Sequence, residues 1–277
     1  MKYFTILILI MIIISCSGLK ETEQNKIRIK GSDTMLLLNK KLAEEFMMKN
    51  EGISVYVDGG GSGTGVKALM NSEVEICAAS RPLEPKEIKQ IGEKFNTVGM
   101  SFLIGRDALS LYVNPENIVK ELSLEEVNKI FTCQITNWKE VGGKDEKIIP
   151  ISRSSASGTH LYFVMHVLKG NKICDSIKIL NTTNKIIEFV KSKKNAIGYG
   201  GIGYGDSTFH CKIDNIEPTT KNVLNNSYPI SRYLRYYTID KSSGNVKKYI
   251  DWVIGKEGQM IIKNMGYIPL WNSNYSY

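Results

Sequence analysis

Histidine is scarce in this chain: His160, His166 and His210 are the three among 277 residues. None belongs to an HExxH pattern or stands at metal-ligand spacing from a carboxylate, which removes zinc hydrolases, and no metal or cofactor is expected. His160 and His166 read as packing or surface residues. Cysteine is sparse as well, with five residues and no CxxC spacing. The four beyond Cys16 allow three pairings. Cys174 with Cys211 is the preferred one, and Cys77, inside Val74-Glu75-Ile76-Cys77-Ala78, reads as a small buried hydrophobe. The net charge is +8, yet no basic block exceeds Lys191-Ser192-Lys193-Lys194 and no aromatics interleave with the basic residues. Nucleic acid is therefore not an expected partner. Repeats of fixed period and low-complexity tracts are also lacking.

One long apolar run is present, Phe4 to Ile14, preceded by Lys2 and followed by Ser15-Cys16-Ser17-Gly18. It is too short for a membrane-spanning helix, which needs about 20 residues, and reads as a secretory signal over residues 1–15. Ile13-Ile14-Ser15 ahead of Cys16 resembles a relaxed bacterial lipobox. Cys16 is then the lipidated first residue, residues 16–26 form a polar tether, and the folded part is held at a membrane outside the cytoplasm. Removing the leader takes away only the charge of Lys2, so the basic balance persists and suits small anions as well as anionic membranes.

From Ile27 on, strand, loop and helix alternate. Ile27 and Ile29 alternate as in a strand, and Leu38, Leu42 and Phe46 recur every fourth residue. Ile53, Val55 and Val57 form a second strand, followed by a helical start over Val66–Met70; Val74–Ala78 is a third, followed by a charged helix with Pro85 in its first turn. Three such units predict a parallel sheet with helices on its faces. Val98–Val113 is a long apolar stretch, interrupted by Gly105-Arg106-Asp107, that suits a crossing between two domains. The pattern then restarts with a capping box at Ser123 and Glu126, a strand over Ile148–Ser152, a helix over Leu161–Leu168, a helical Ile186–Val190 and a strand over Ala196–Tyr199. A strand over Tyr233–Tyr237 and one helix over Val246–Met260 close the chain. The expected organisation is α/β with two lobes: residues 27–104 in the first, 105–227 in the second, and 228–277 returning mainly to the first.

Three loops between a strand and a helix carry the chemistry. Val57–Leu69 contains five glycines, Ser62 and Thr64. It fits neither a P-loop, since Gly65 is followed by Val66-Lys67, nor any GxGxxG frame, so a nucleotide is not expected. What remains is either a tight turn or an anion nest of backbone N–H groups and hydroxyls at a helix start. Gly31-Ser32-Asp33-Thr34, taken alone, reads as helix capping. Arg153-Ser154-Ser155-Ala156-Ser157-Gly158-Thr159 adds a guanidinium able to give two parallel charge-assisted bonds to a tetrahedral oxyanion. Ligands of open parallel sheets lie beyond the carboxyl ends of the strands. Two facing lobes then bring the loops of Thr34, Ser62 and Ser80 to those of Arg153 and Thr159.

In order and spacing, Gly31-Ser32-Asp33-Thr34, Gly59 to Lys67, Ala78-Ala79-Ser80-Arg81-Pro82, Ile135-Thr136-Asn137-Trp138, Arg153 to Thr159 and Ala196-Ile197-Gly198-Tyr199 resemble the phosphate-binding proteins of the bacterial high-affinity phosphate ABC transporter. The resemblance runs from about Ile27 to the C-terminus. It implies a periplasmic-binding-protein fold of the second topological type, with two crossings between the lobes and phosphate (HPO4 or H2PO4) in the cleft. It also implies the permease subunits of an ABC transporter as partners and action as a monomer. The implied phosphate contacts are Thr34, Met35 through its backbone N–H, Ser62, Ser80, Arg153, Ser157, Gly158 and Thr159. Ser32, Asp33 and Arg81 are additional candidates. Many family members carry an aspartate where this chain has Ser80, and that carboxylate accepts the phosphate proton. Asp33, ahead of Asp58, is the expected substitute. A receptor for sulfate or molybdate, a phosphatase and a surface adhesin are the rival functions. Neither Ser62 nor Ser157 sits in a GxSxG elbow, so an enzyme is not expected.

Overall fold

The computed structural model describes residues 25–204 and 207–271. The leader, Cys16 and most of the proposed tether lie outside the described residues. Within them, three parallel strands, β1 (Lys26–Gly31), β2 (Ser54–Asp58) and β3 (Ile76–Ala79), form one side of a sheet in the order β2-β1-β3. α1 (Leu36–Lys49), α2 (Ser62–Met70) and α3 (Pro85–Phe95) connect and follow them. The alternation in β1 buries Ile27 and Ile29, onto which α1 lays Leu38, Leu42 and Phe46. On the other side, α2 presses Val66 and Leu69 against Cys77 and Ala79.

β4 (Met100–Val113) joins the two lobes. The interruption expected at Gly105-Arg106-Asp107 is absent: the strand runs unbroken for 14 residues. Its first part, from Met100 to Ala108, pairs antiparallel with β11 (Ser231–Thr238), and its second part, from Leu109 to Val113, with β8 (Ala196–Gly201). One strand thus belongs to two sheets, and the partner changes between Ala108 and Leu109. The other sheet continues through β6 (Ile149–Arg153), parallel to β8, and β7 (Lys178–Leu180), parallel to β6. β9 (Phe209–His210) adds to β4, while β5 (Glu121–Leu122) and β10 (Lys212–Ile213) form a separate pair. The outer strands of each sheet are parallel as expected. The centre is antiparallel because the crossing strands run against them.

The second lobe is filled by α4 (Leu124–Phe131), α5 (Gly158–His166), α6 (Thr183–Ser192) and the short α7 (Thr220–Leu224). Phe163 stacks on Tyr199 with centroids 4.0 Å apart, and Phe131 meets Phe163 edge-on at 4.8 Å. Ser123 and Glu126 form the expected capping box of α4. Two expectations about helices fail. The single helix expected over Val246–Met260 is two, α8 (Gly244–Ile254) and α9 (Lys256–Asn264), because Gly255 leaves the helical region with ψ 176°. The helices at the glycine and arginine loops begin earlier than their apolar periodicity indicates, at Ser62 and Gly158, within the loops themselves.

The disulfide also differs. Cys133 is bonded to Cys174, Cα atoms 5.9 Å apart, while Cys77 and Cys211 are free and buried. Cys211 is buried among the apolar side chains of the second lobe, where burial pushes its thiol up to about 12. Sequence separation carries no information about which of the four thiols face each other.

Phe46, fully buried, packs edge-on against Tyr249 of α8 at 5.0 Å and against Trp252 at 5.5 Å. Phe46→Ala removes that contact and leaves a cavity. It is expected to cost about 3–5 kcal/mol of stability, measured as a shift in the urea midpoint at unchanged slope.

Candidate functional site

The glycine stretch splits into two uses. Gly60 and Gly61 take positive φ, 106° and 101°, and carry the chain from β2 into α2. At Gly61 a Cβ would fall 2.5 Å from the carbonyl oxygen of Ala156, which belongs to the arginine loop of the other lobe. Gly63 N–H donates to that same Ala156 oxygen at 3.2 Å. Bare backbone is required here because two lobes approach each other main chain to main chain. Gly65 serves packing instead: a Cβ there would meet the Lys30 oxygen at 2.5 Å.

The Gly31–Thr34 loop is not a set of caps. Ser32 makes no side-chain capping bond, and its N–H donates to the Ala78 oxygen at 2.8 Å. Asp33 accepts from the Gly60 N–H at 2.9 Å, tying this loop to the glycine loop, and its second oxygen accepts from Arg153 Nη2 at 2.6 Å. Thr34 Oγ1 is hydrogen-bonded to Thr159 Oγ1 at 2.6 Å. Both links cross from the first lobe to the second. Tyr204 donates its hydroxyl to the Asp33 oxygen at 2.7 Å, and Tyr267 donates to the Thr34 oxygen. Burial pushes the Tyr204 phenol up to about 12, so it remains a donor.

Arg153 ends β6 almost wholly buried. Besides Asp33, it donates to Thr183 Oγ1 and to the Asn181 oxygen, each at 2.9 Å. Burial pulls its pKa down and Asp33 pulls it back; a guanidinium stays charged regardless. Behind it, His160 Nδ1 lies 3.2 Å from Ser152 Oγ and 3.3 Å from the Tyr199 hydroxyl. Burial, then the nearby Arg153 charge, holds His160 below the usual imidazole range. It belongs to the support of the arginine loop, in keeping with its reading as a packing residue. Ser157 caps α5, accepting from the His160 N–H at 3.3 Å. A Cβ on Gly158 would fall 2.1 Å from Ser62 Oγ and 3.0 Å from Ser80 Oγ, so the start of α5 sits directly on the first lobe's hydroxyls. The first amides of a helix lack internal acceptors and carry its positive end.

Most of the expected residues therefore meet at one seam: Asp33, Thr34, Ser62, Ser80, Arg153, Gly158 and Thr159. Four expectations do not hold in the same form. Arg81 is engaged by a bidentate pair with Glu87, both bonds 2.7 Å, which occupies its guanidinium fork. The Met35 N–H donates to the Ser32 oxygen at 3.0 Å. Thr64 donates its hydroxyl to the Gly61 oxygen at 2.6 Å within its own loop. Asp58 is exposed at the end of β2.

A second buried ion pair went unforeseen. Asp107 on β4 and Arg232 on β11 are register partners at the crossing between lobes. Arg232 Nε and Nη2 donate to Asp107 Oδ2 at 3.0 and 2.8 Å, and Nη2 also reaches Thr34 Oγ1 at 3.3 Å. Asp107 Oδ1 accepts from the Ile202 N–H at 3.0 Å. Burial pushes the Asp107 carboxyl up, against the opposing pull of Arg232. A signal was present: an acid inside the apolar Val98–Val113 run, and an arginine on the face that buries Leu234 and Tyr236.

Ser80 Oγ, Arg81 Nε, Arg153 Nε and Arg232 Nη1 are among the buried side-chain atoms without a partner. Each such group costs about 1–3 kcal/mol when left unsatisfied. With two guanidiniums matched by two carboxylates, the seam carries no net side-chain charge. An anion placed there is held by N–H and O–H dipoles and by fixed ion pairs.

Two lobes, crossing strands that change partner, and an oxyanion-suited seam at the carboxyl ends of β1, β3 and β6 define a solute-binding protein of the two-lobed type. A family model described as the PBP superfamily domain matches residues 19–257. The phosphate-binding protein PstS of Bacillus subtilis (strain 168) is 34% identical over 254 residues, 91% of this chain and 83% of that protein. PstS of Borreliella burgdorferi is 28% identical, covering 98% of this chain and 99% of that protein. A crystal structure from Clostridium perfringens, described as a phosphate ABC transporter substrate-binding protein with bound phosphate, superposes with a TM-score of 0.82. It is 33% identical and covers 89% of this chain and all of that one. The chain belongs to the PBP superfamily and, within it, to the family of PstS phosphate-binding proteins.

Asp107→Ala strips Arg232 of its counter-charge in a buried position. It is expected to destabilise the fold by about 3–5 kcal/mol, read from chemical denaturation, with the far-UV circular dichroism of the folded state retained.

Proposed function

We propose that this protein captures inorganic phosphate between its lobes and delivers it to the permease of an ABC transporter, without turning it over. The reading rests on one observation above all. Arg153, Thr159 and Gly158 of the second lobe meet Asp33, Thr34, Ser62 and Ser80 of the first at a buried seam that retains unpartnered donors. Phosphate oxygens entering there replace their hydration by the start of α5, the hydroxyls of Thr34, Ser62, Ser80 and Thr159, and the guanidinium of Arg153. Phosphate-binding relatives with matching architecture support the same ligand.

The lobes correspond to residues 27–108 with 231–271, and 109–230, dividing where β4 changes partner. Because contacts come from both lobes, capture is coupled to closure: the ligand stabilises the closed form by the difference in its affinity for the two states. The apolar leader over residues 1–15 and the Ser15-Cys16 junction support export and a lipid anchor at Cys16. Among the described residues no helix is long and apolar enough to cross a membrane.

Isothermal calorimetry with sodium phosphate is expected to show one site per chain, and a chromogenic phosphate ester to be left intact. Sustained ester hydrolysis would make the protein a phosphatase instead. Arg153→Ala is expected to weaken phosphate about a hundredfold or more, through the loss of charge-assisted bonds in a desolvated site; unchanged affinity contradicts the assignment.

A further inference from the structure

A hydroxyl at an anion site serves the anion only when its hydrogen points at it. A threonine oxygen offers one hydrogen and two lone pairs, so a group that claims a lone pair helps decide where the hydrogen goes. At Thr34 that group is Arg232, whose Nη2 donates to Thr34 Oγ1 at 3.3 Å. A guanidinium has no acceptor. The Thr34 hydrogen is therefore turned away from it and left for Thr159 Oγ1, 2.6 Å away, or for a ligand oxygen that takes that place.

Arg232 is itself fixed. Its Nε and Nη2 both donate to Asp107 Oδ2, at 3.0 and 2.8 Å, and its guanidinium carbon lies 5.5 Å from the centroid of the Tyr162 ring. Tyr162 is tied down in turn, its hydroxyl donating to the Ser231 oxygen at 2.6 Å. Thr34 is seated just as closely. A Cβ on Gly201, at the end of β8, would fall 2.8 Å from Thr34 Cγ2 and 2.8 Å from Asp107 Oδ2, so bare backbone is needed for the threonine methyl and the carboxylate to approach each other there. With the methyl in that place, Oγ1 is left between Arg232 and Thr159.

We propose that Arg232 is a positioning residue for phosphate capture: held by Asp107, it fixes the Thr34 hydroxyl as a donor to the bound anion. The inference rests on the phosphate reading above and adds to it a residue outside the three binding loops. Two effects act together. The hydroxyl is oriented before the ligand arrives, so less freedom is lost on binding. An oxygen that accepts a charge-assisted bond is also a stronger donor through its own hydrogen.

The test is a mutant cycle on the full chain, read by calorimetry with sodium phosphate at one pH, each protein first shown to be folded by its urea transition without phosphate. Asp107→Asn with Arg232→Met removes the pair without leaving an unmatched buried charge. It is expected to weaken phosphate about tenfold, and Thr34→Val to weaken it by about as much or more. All three substitutions together are expected to bind within about twofold of Thr34→Val alone, because no hydroxyl is left to orient. Asp107→Leu with Arg232→Met, an all-apolar replacement, serves the same cycle where the first pair does not fold. Unchanged affinity on loss of the pair overturns the inference. So does a loss by the same factor with and without the Thr34 hydroxyl, the pattern of a loosened scaffold or of direct contact between Arg232 and the anion. Either result leaves the phosphate reading intact. A wild-type chain that binds no phosphate overturns that reading and the inference with it.

Discussion

Burial of two guanidiniums between the lobes is the constraint on which the rest of this structure depends. An unpaired buried charge costs far more than any single contact returns, so Arg153 and Arg232 each require a carboxylate, and each carboxylate requires a scaffold. Arg153 finds Asp33 across the cleft. Arg232 finds Asp107 across the ladder between β11 and β4. The first pair ties one lobe to the other, and the second sits where the chain passes between them. Thr34 stands between the two, bonded to Thr159 on one side and reached by Arg232 on the other.

That arrangement explains why so much uncharged polarity gathers at the seam. With the charges internally matched, an incoming dianion is stabilised by dipoles already oriented for it, which need no reorganisation when it arrives. Tyr204 and Tyr267 fix the carbonyls of Asp33 and Thr34 from below, and Ser157 fixes the start of α5. Glycine enters where the two lobes touch, against the Ala156 main chain at Gly61 and against the Ser62 and Ser80 side chains at Gly158. A side chain at either position would hold the lobes apart.

Much of the fold was legible from local pattern. Alternation in β1 and β2, the four-residue spacing of Leu38, Leu42 and Phe46, and the capping box at Ser123 and Glu126 all mark their elements correctly. Each is a property of neighbouring residues. The loops that meet at the seam were legible for the same reason, since hydroxyls and glycines between a strand and a helix announce a backbone able to receive an anion. Gly105-Arg106-Asp107 misled, because an acid in an apolar run looks like a break when the arginine that neutralises it, Arg232, lies more than a hundred residues away. Arg81 misled in the opposite sense: the residue type suits an oxyanion, but Glu87, in the first turn of α3, already holds its fork.

The amino-acid sequence by itself determined the succession of strands and helices, the positions of the hydroxyl-rich turns and the presence of a guanidinium in one of them. These are set by residue size, periodicity and backbone freedom over a few neighbours. Only the tertiary structure decided that Cys133 rather than Cys211 bonds Cys174, that Asp33 faces Arg153, and that Asp107 and Arg232 form a second buried pair beside Thr34. Those choices depend on which distant segments share a register or a surface, and burial makes an unmatched alternative too costly to persist.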